Sequence, residues 1–131
     1  MKGTGIFTLV LLLVLAGVLF SGEIHYRFEE ESFTVEGDFW ADLTVEYDAI
    51  EELEYREQDQ VGSRVGGLGT VRLLAGNFRN EEFGYYTRYS YANTANCVVI
   101  KRGGKVLVLN AAEETLTEEL YRELLERTGR N

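Results

Sequence analysis

The side chains with chemical potential in this 131-residue chain are numerous carboxylates, one histidine, one cysteine and a central group of arginines and tyrosines. The glutamates come in runs, at Glu29 to Glu31, at Glu51, Glu52 and Glu54, at Glu81 and Glu82, and at Glu113 and Glu114. Acid–base or metal chemistry needs two or more carboxylates converging in a pocket with shifted pKa values. Adjacent glutamates on a strand point to opposite faces, so these runs read as solvated surface. No Asp-x-Asp-x-Asp-Gly calcium loop is present. His25 has no serine or cysteine nucleophile that the sequence would pair with it. Cys97, between Asn96 and the apolar run Val98-Val99-Ile100, reads as a small core residue. The expectation is a protein that is not an enzyme and carries no catalytic residue, metal or cofactor.

The glycine-rich stretch Val61 to Gly69 invites a phosphate-cradle reading, which its neighbours refuse. No lysine follows Gly66, Gly67 or Gly69, as a Walker loop requires, and Arg72 stands where the dinucleotide fingerprint needs its last glycine. A flexible loop between strands is expected instead. The arginines are the better candidates for a site. Arg64, Arg72, Arg79 and Arg88 fall between an acidic N-terminal half and an acidic C-terminal helix. With Tyr86 and Tyr89 they would line one face that receives an anionic peptide or small acid, since Tyr and Arg are favoured at binding hot spots. The competing reading pairs these arginines with the abundant glutamates.

Charge narrows the partners. The chain carries −9 overall, and Lys2 is the sole basic residue before Glu23. Such a domain is a poor match for nucleic acid, whose binding rests on Lys and Arg neutralising phosphates. It equally lacks the polybasic surface that docks on anionic head groups.

The elements that must position these residues begin with an anchor. From Gly3 to Gly22 there is no charge, and about twenty apolar residues of helix span a bilayer core. Cleavage as a signal peptide wants small residues at −1 and −3; Gly22 at −1 puts Phe20 at −3, and Ser21 puts Leu19 there. Residues 1–22 are therefore expected to form an uncleaved transmembrane signal-anchor, and 23–131 a single domain. Lys2 before the span and Glu23 with Glu29 to Glu31 after it place the domain on the extracytoplasmic side of the cell membrane.

Within the domain, Ile24, Tyr26 and Phe28 alternate with His25, Arg27 and Glu29, the period of a half-buried strand. Phe33 and Val35 resume the pattern, Glu36-Gly37-Asp38 turns, and the return strand is expected from Phe39-Trp40-Ala41 through Leu43, Val45 and Tyr47. Leu53 and Tyr55 mark another strand. Val71 to Leu74 would be a short strand ending in a turn at Ala75-Gly76-Asn77, followed by a tyrosine-rich strand from Phe83 to Tyr91. Cys97 to Ile100 and Val106 to Leu109 form a hairpin across Arg102-Gly103-Gly104. Thr115-Leu116-Thr117-Glu118 is a capping-box pattern, and Leu116, Leu120 and Leu124 form one apolar helical stripe. Gly129 is the stop signal.

About seven short strands followed by one amphipathic helix, carried by these motifs, resemble the bacterial pleckstrin-homology (PH)-like domain family. The motifs are Val45 to Ile50, Arg64 with Gly66-Gly67-Leu68-Gly69, Gly76-Asn77-Phe78, the aromatic strand Tyr85 to Tyr91, the hairpin and the closing helix, between about Phe33 and Leu125. The resemblance implies a mainly β fold, a partly open seven-stranded barrel capped by a C-terminal helix, with a transmembrane segment ahead of it. It implies a binding or assembly module and fixes no ligand. The functional expectation is a membrane-tethered module for a protein partner or for self-association. The alternative is a barrel whose mouth binds a small hydrophobic ligand or lipid.

Overall fold

The computed structural model describes residues 22–38 and 40–130, so the expected anchor lies, apart from Gly22, outside the described residues. The alternation at the start of the domain produces strand β1 (Ile24–Phe28), and the Glu29–Glu31 corner returns it into β2 (Ser32–Gly37). Tyr26 pairs with Val35 and Phe28 with Phe33, so the apolar sets share one face. The next strand, β3 (Leu43–Glu46), begins later than the aromatic signal suggested, and Trp40 remains 39% exposed outside it. These three strands form one antiparallel sheet in the order β1-β2-β3. A 3-10 turn, Tyr47–Ala49, leads out of it.

The second sheet has six strands, β4 (Glu52–Arg56), β5 (Ser63–Gly69), β6 (Leu73–Asn80), β7 (Gly84–Tyr91), β8 (Cys97–Arg102) and β9 (Lys105–Leu109). Their order is β4-β8-β9-β7-β6-β5, antiparallel except where β7 and β9 run parallel. The described residues thus hold nine strands where the sequence suggested about seven. One extra strand is the glycine-rich stretch, which is β5 and not a loop. Gly67 and Gly76 face each other across β5 and β6 with φ of +112° and +125°. A Cβ on Gly67 would sit 2.3 Å from the Ala75 carbonyl oxygen, and one on Gly76 would sit 2.6 Å from that of Gly66. Glycine is therefore what allows these backbones to approach beside the irregular register between Arg64 and Gly66. For the same reason β6 runs straight through Ala75-Gly76-Asn77. The chain turns instead after Asn80, whose Oδ1 accepts the Phe83 amide at 2.6 Å.

The sheet is curled but open, with β4 and β5 as its two edges. Residues 57–62 join those edges. Seven Cα steps reach about 25 Å at full extension, which barely spans five strand gaps of about 4.8 Å in a flat sheet. The edge strand β4 does approach the β6–β7 turn: Arg56 grips Glu82 through two 2.6 Å hydrogen bonds and covers the Phe83 ring at 5.0 Å. The 57–62 connection becomes a strap across one face of the curl.

Each face of this sheet has its own core. Beneath the strap lie Phe78, Tyr86, Cys97, Val99 and Val108, with Val61, Phe83 and Val106 at the margin. On the other face Tyr89, Ile100, Leu107 and Leu109 pack with Phe33, Val35 and Val45 of the small sheet and with Leu120 and Leu124 of helix α1 (Glu114–Arg127). The helix begins before the expected capping box. Glu113 is its N-cap without a side-chain bond, while buried Thr117 accepts the Ala111 amide at 2.9 Å. Thr117 also displaces Leu116 from the buried stripe, leaving Leu116 42% exposed. The stop is as expected: with Gly129 at φ +70°, its amide bonds Glu126 and the Arg130 amide bonds Leu125 at 2.8 Å, a Schellman pair.

Candidate functional site

The strands of the large sheet sort the sequence candidates by the parity of their positions. Tyr86 and Arg88 point under the strap. The Arg88 side chain is 1% exposed and is held by both oxygens of Asp59 at 2.6 and 2.7 Å. It also donates to the Ser90 hydroxyl at 2.7 Å and to the Tyr86 hydroxyl at 3.1 Å. Burial opposes its charge, and the bonds it donates to Asp59 override that, raising the Arg88 pKa above its ordinary value. The Tyr86 hydroxyl donates a hydrogen bond to the Val61 carbonyl, and burial raises its pKa. Nearby, burial pushes the Cys97 thiol up to about 12, which keeps it protonated and unreactive at neutral pH. Tyr86 and Arg88 therefore meet each other as members of a satisfied buried network that fastens the strap.

The other candidates are dispersed. Tyr89 faces the opposite core and donates to the Ala41 carbonyl, tying the small sheet to β7. Burial raises its pKa, with a contribution from the Asp42 carboxylate. Arg72 is half-buried, donates to the Gly22 carbonyl at 2.7 Å and lies 5.1 Å over the Tyr91 ring. Arg64 is exposed, on the face that its partner position Phe78 shares with the strap, against Gly69. Arg79 is exposed on the other face, 5.5 Å over the Tyr85 ring. The six residues do not share one surface.

Around Arg79, however, the register assembles a group that the sequence reading missed. Arg79 pairs with Tyr85, and Arg102 pairs with Lys105 beside the Gly103-Gly104 turn. The parallel pairing of Thr87 with Leu107 puts Tyr85 level with Lys105. Arg79, Tyr85, Lys105 and Arg102 thus form one row across four neighbouring strands, on the face whose other end is covered by the small sheet and helix. Here the face is uncovered: Tyr85 is 71% exposed, and Val65 of β5 is 56% exposed. A groove of about 560 Å³ runs past Gln60, Ser63, Val65, Arg79 and Tyr85. It adjoins a second of about 360 Å³ lined by Val65, Asn77, Tyr85, Thr87 and Lys105.

The electrostatics of this row differ from those of six other cations, while Arg72 and Arg130 meet backbone carbonyls and Arg64 stands apart on the opposite face. Arg27, Arg56, Arg88, Lys101, Arg122 and Arg127 each meet a carboxylate. Arg79, Arg102 and Lys105 meet none among the described residues, and the Arg102 Nε is shielded from solvent without a hydrogen-bond acceptor. Acids stand at the ends of the row: Glu81 lines the first groove, and Glu51 accepts the Gly103 amide at 2.7 Å. The available signal in the sequence was the placement of Arg102 and Lys105 on either side of a two-glycine turn, which makes them cross-strand neighbours. Their alignment with Tyr85 depends on a parallel pairing between distant strands.

No family model matches this chain, and no curated protein or solved structure matches it either. Fold and site together define a mainly β, two-sheet domain with a C-terminal helix and an exposed Arg/Lys/Tyr row.

Proposed function

We propose that this chain is a non-enzymatic binding module, held at the cell membrane by residues 1–22, that docks a protein partner or another copy of itself. The observation that supports this most is the uncovered end of the large sheet, where Tyr85 and Val65 stand exposed beside Arg79. An aromatic ring and an arginine on a shallow groove are the usual anchors of a protein contact. The hydropathy of residues 3–22 supports the tether, and the charges that flank it support an extracytoplasmic domain. Kinship with PH-like domains belongs to this proposal and leans on the open, curled sheet followed by a helix. The separate three-stranded sheet is the feature that fits it least. The reading as a carrier of a small apolar ligand is less favoured, because Phe78, Tyr86, Val99 and Val108 fill the inside of the curl.

The test has two arms on the expressed full chain. Carbonate extraction is expected to leave it in the membrane pellet and to release a version starting at Gly22. A photoreactive residue at position 85 is expected to give defined crosslinked products that the same residue at exposed position 57 does not. A carbonate-soluble full chain, or equal products from both positions, contradicts the proposal.

A further inference from the structure

We propose that the Arg79–Tyr85–Lys105–Arg102 row receives a short acidic segment of a partner protein, a refinement that rests on the binding-module reading above. Three cations without carboxylate partners stand together in this row on a chain of net charge −9, and the natural complement of such a cluster is anionic. The Arg102 Nε has no acceptor among the described residues, so its guanidinium is not already committed to a partner through that atom.

The size and surroundings of the row select the kind of anion. Strand spacing of about 4.8 Å puts Arg79 and Arg102 about 14 Å apart. An extended peptide covers that distance in about four residues. Glu51 and Glu81 bracket the row, so a long polyanion would run onto acidic surface at either end. Tyr85 stands within the row and Val65 flanks its Arg79 end on the edge strand β5, and both offer apolar contact that a phosphate chain cannot use. A segment mixing carboxylates with an apolar side chain fits both features.

The position of the row argues against the lipid surface. The chain enters the domain at Gly22 and Ile24, bonded to Arg72 and to the Tyr91 hydroxyl, where β7 ends. Tyr85 lies at the other end of that strand, about 20 Å away at about 3.4 Å per residue. A domain tethered through Gly22 therefore presents the row away from its own bilayer.

The experiment uses the full chain in neutral detergent micelles and fluorescence anisotropy of a labelled peptide alternating Glu and Val, with its Gln-for-Glu counterpart. Saturable binding to the acidic peptide, weakening with added salt, is expected. The Gln peptide is expected to bind roughly tenfold more weakly or worse, as is the acidic peptide with the R79Q/R102Q/K105Q variant. R64Q, on the other face, is expected to match the parent. Should the triple variant melt early, R79Q and K105Q alone are each expected to lose up to roughly fivefold. Equal binding by parent and variants, no binding by the parent, or preference for phosphatidylglycerol vesicles over the peptide each overturns the inference. If peptide binding fails while crosslinking from position 85 persists, the acidic partner is removed and the tethered module stands. If both fail, both are removed.

Discussion

The two faces of the large sheet carry arginine beside tyrosine in opposite circumstances. Under the strap, Arg88 and Tyr86 are buried and their donors are met by Asp59, Ser90 and Val61. At the open end of the other face, Arg79 lies over an exposed Tyr85, and Lys105 and Arg102 complete the row without a carboxylate. The first group holds the fold together, and the second is available to something else. An arginine's role here follows from whether the surrounding chain supplies acceptors for it.

That contrast is open to experiment, beginning with the largest effect. Asp59→Ala leaves Arg88 buried and unpaired and is expected to cost about 3–5 kcal/mol in urea denaturation. Pairing it with Arg88→Met should recover part of the loss, because the uncompensated charge is then gone. A loss below about 1 kcal/mol for Asp59→Ala would make the strap's ion pair dispensable.

Next is the backbone contact that lets β5 pair with β6 at the edge of the grooves. Gly76→Ala forces a side chain into a left-handed conformation and onto the Gly66 carbonyl, and roughly 2–3 kcal/mol is expected from the same measurement. An unchanged denaturation midpoint would contradict the close approach.

The strapped core also fixes an alkaline limit. Burial holds the Cys97 thiol up at about 12, whereas an unfolded thiol ionises near about 8.5. Between those values the folded chain keeps a proton that the unfolded chain has released. Stability should therefore be flat with respect to this group at lower pH and fall as pH rises above about 9, by at most about 1.4 kcal/mol per pH unit. Tyr26, Tyr86 and Tyr89, all raised first by burial, add a loss of the same sign above about pH 10. Denaturation midpoints at rising pH should decline less steeply in Cys97→Ala, and an identical slope would show that the thiol is not the cause.

The open row should yield the smallest stability effects. Arg79→Gln, Lys105→Gln and Tyr85→Ala are each expected to stay within about 0.5 kcal/mol of the parent in the same denaturation assay. A large loss from any of them would move that residue from the binding group to the structural one.

Much of the fold was legible because it is local. The alternation at Ile24, Tyr26 and Phe28, the Gly103-Gly104 hairpin, the Leu120/Leu124 stripe and the Gly129 stop are each written within a few residues. The glycine stretch was misread because its glycines answer a neighbour, Gly76, nine residues beyond Gly67, and not a local turn. The candidate site was legible by residue type and obscured by geometry. Tyr86 and Tyr89 are three apart on one strand, so they had to face opposite sides. Arg88 found its carboxylate 29 positions away, and Tyr85 joined Lys105 only through the parallel pairing of β7 with β9. Neither contact has a periodic signature.

The central claim is that one arginine–tyrosine group binds while the other supports. Backbone amide shifts of isotope-labelled full chain, followed as the acidic Glu/Val peptide is added, test it most directly. The expected shifts cluster at Val65, Asn77 to Arg79, Tyr85 to Thr87 and Arg102 to Val106, with Asp59, Arg88 and Ser90 unmoved. Shifts centred on Asp59 and Arg88, or spread evenly over the domain, would contradict the account.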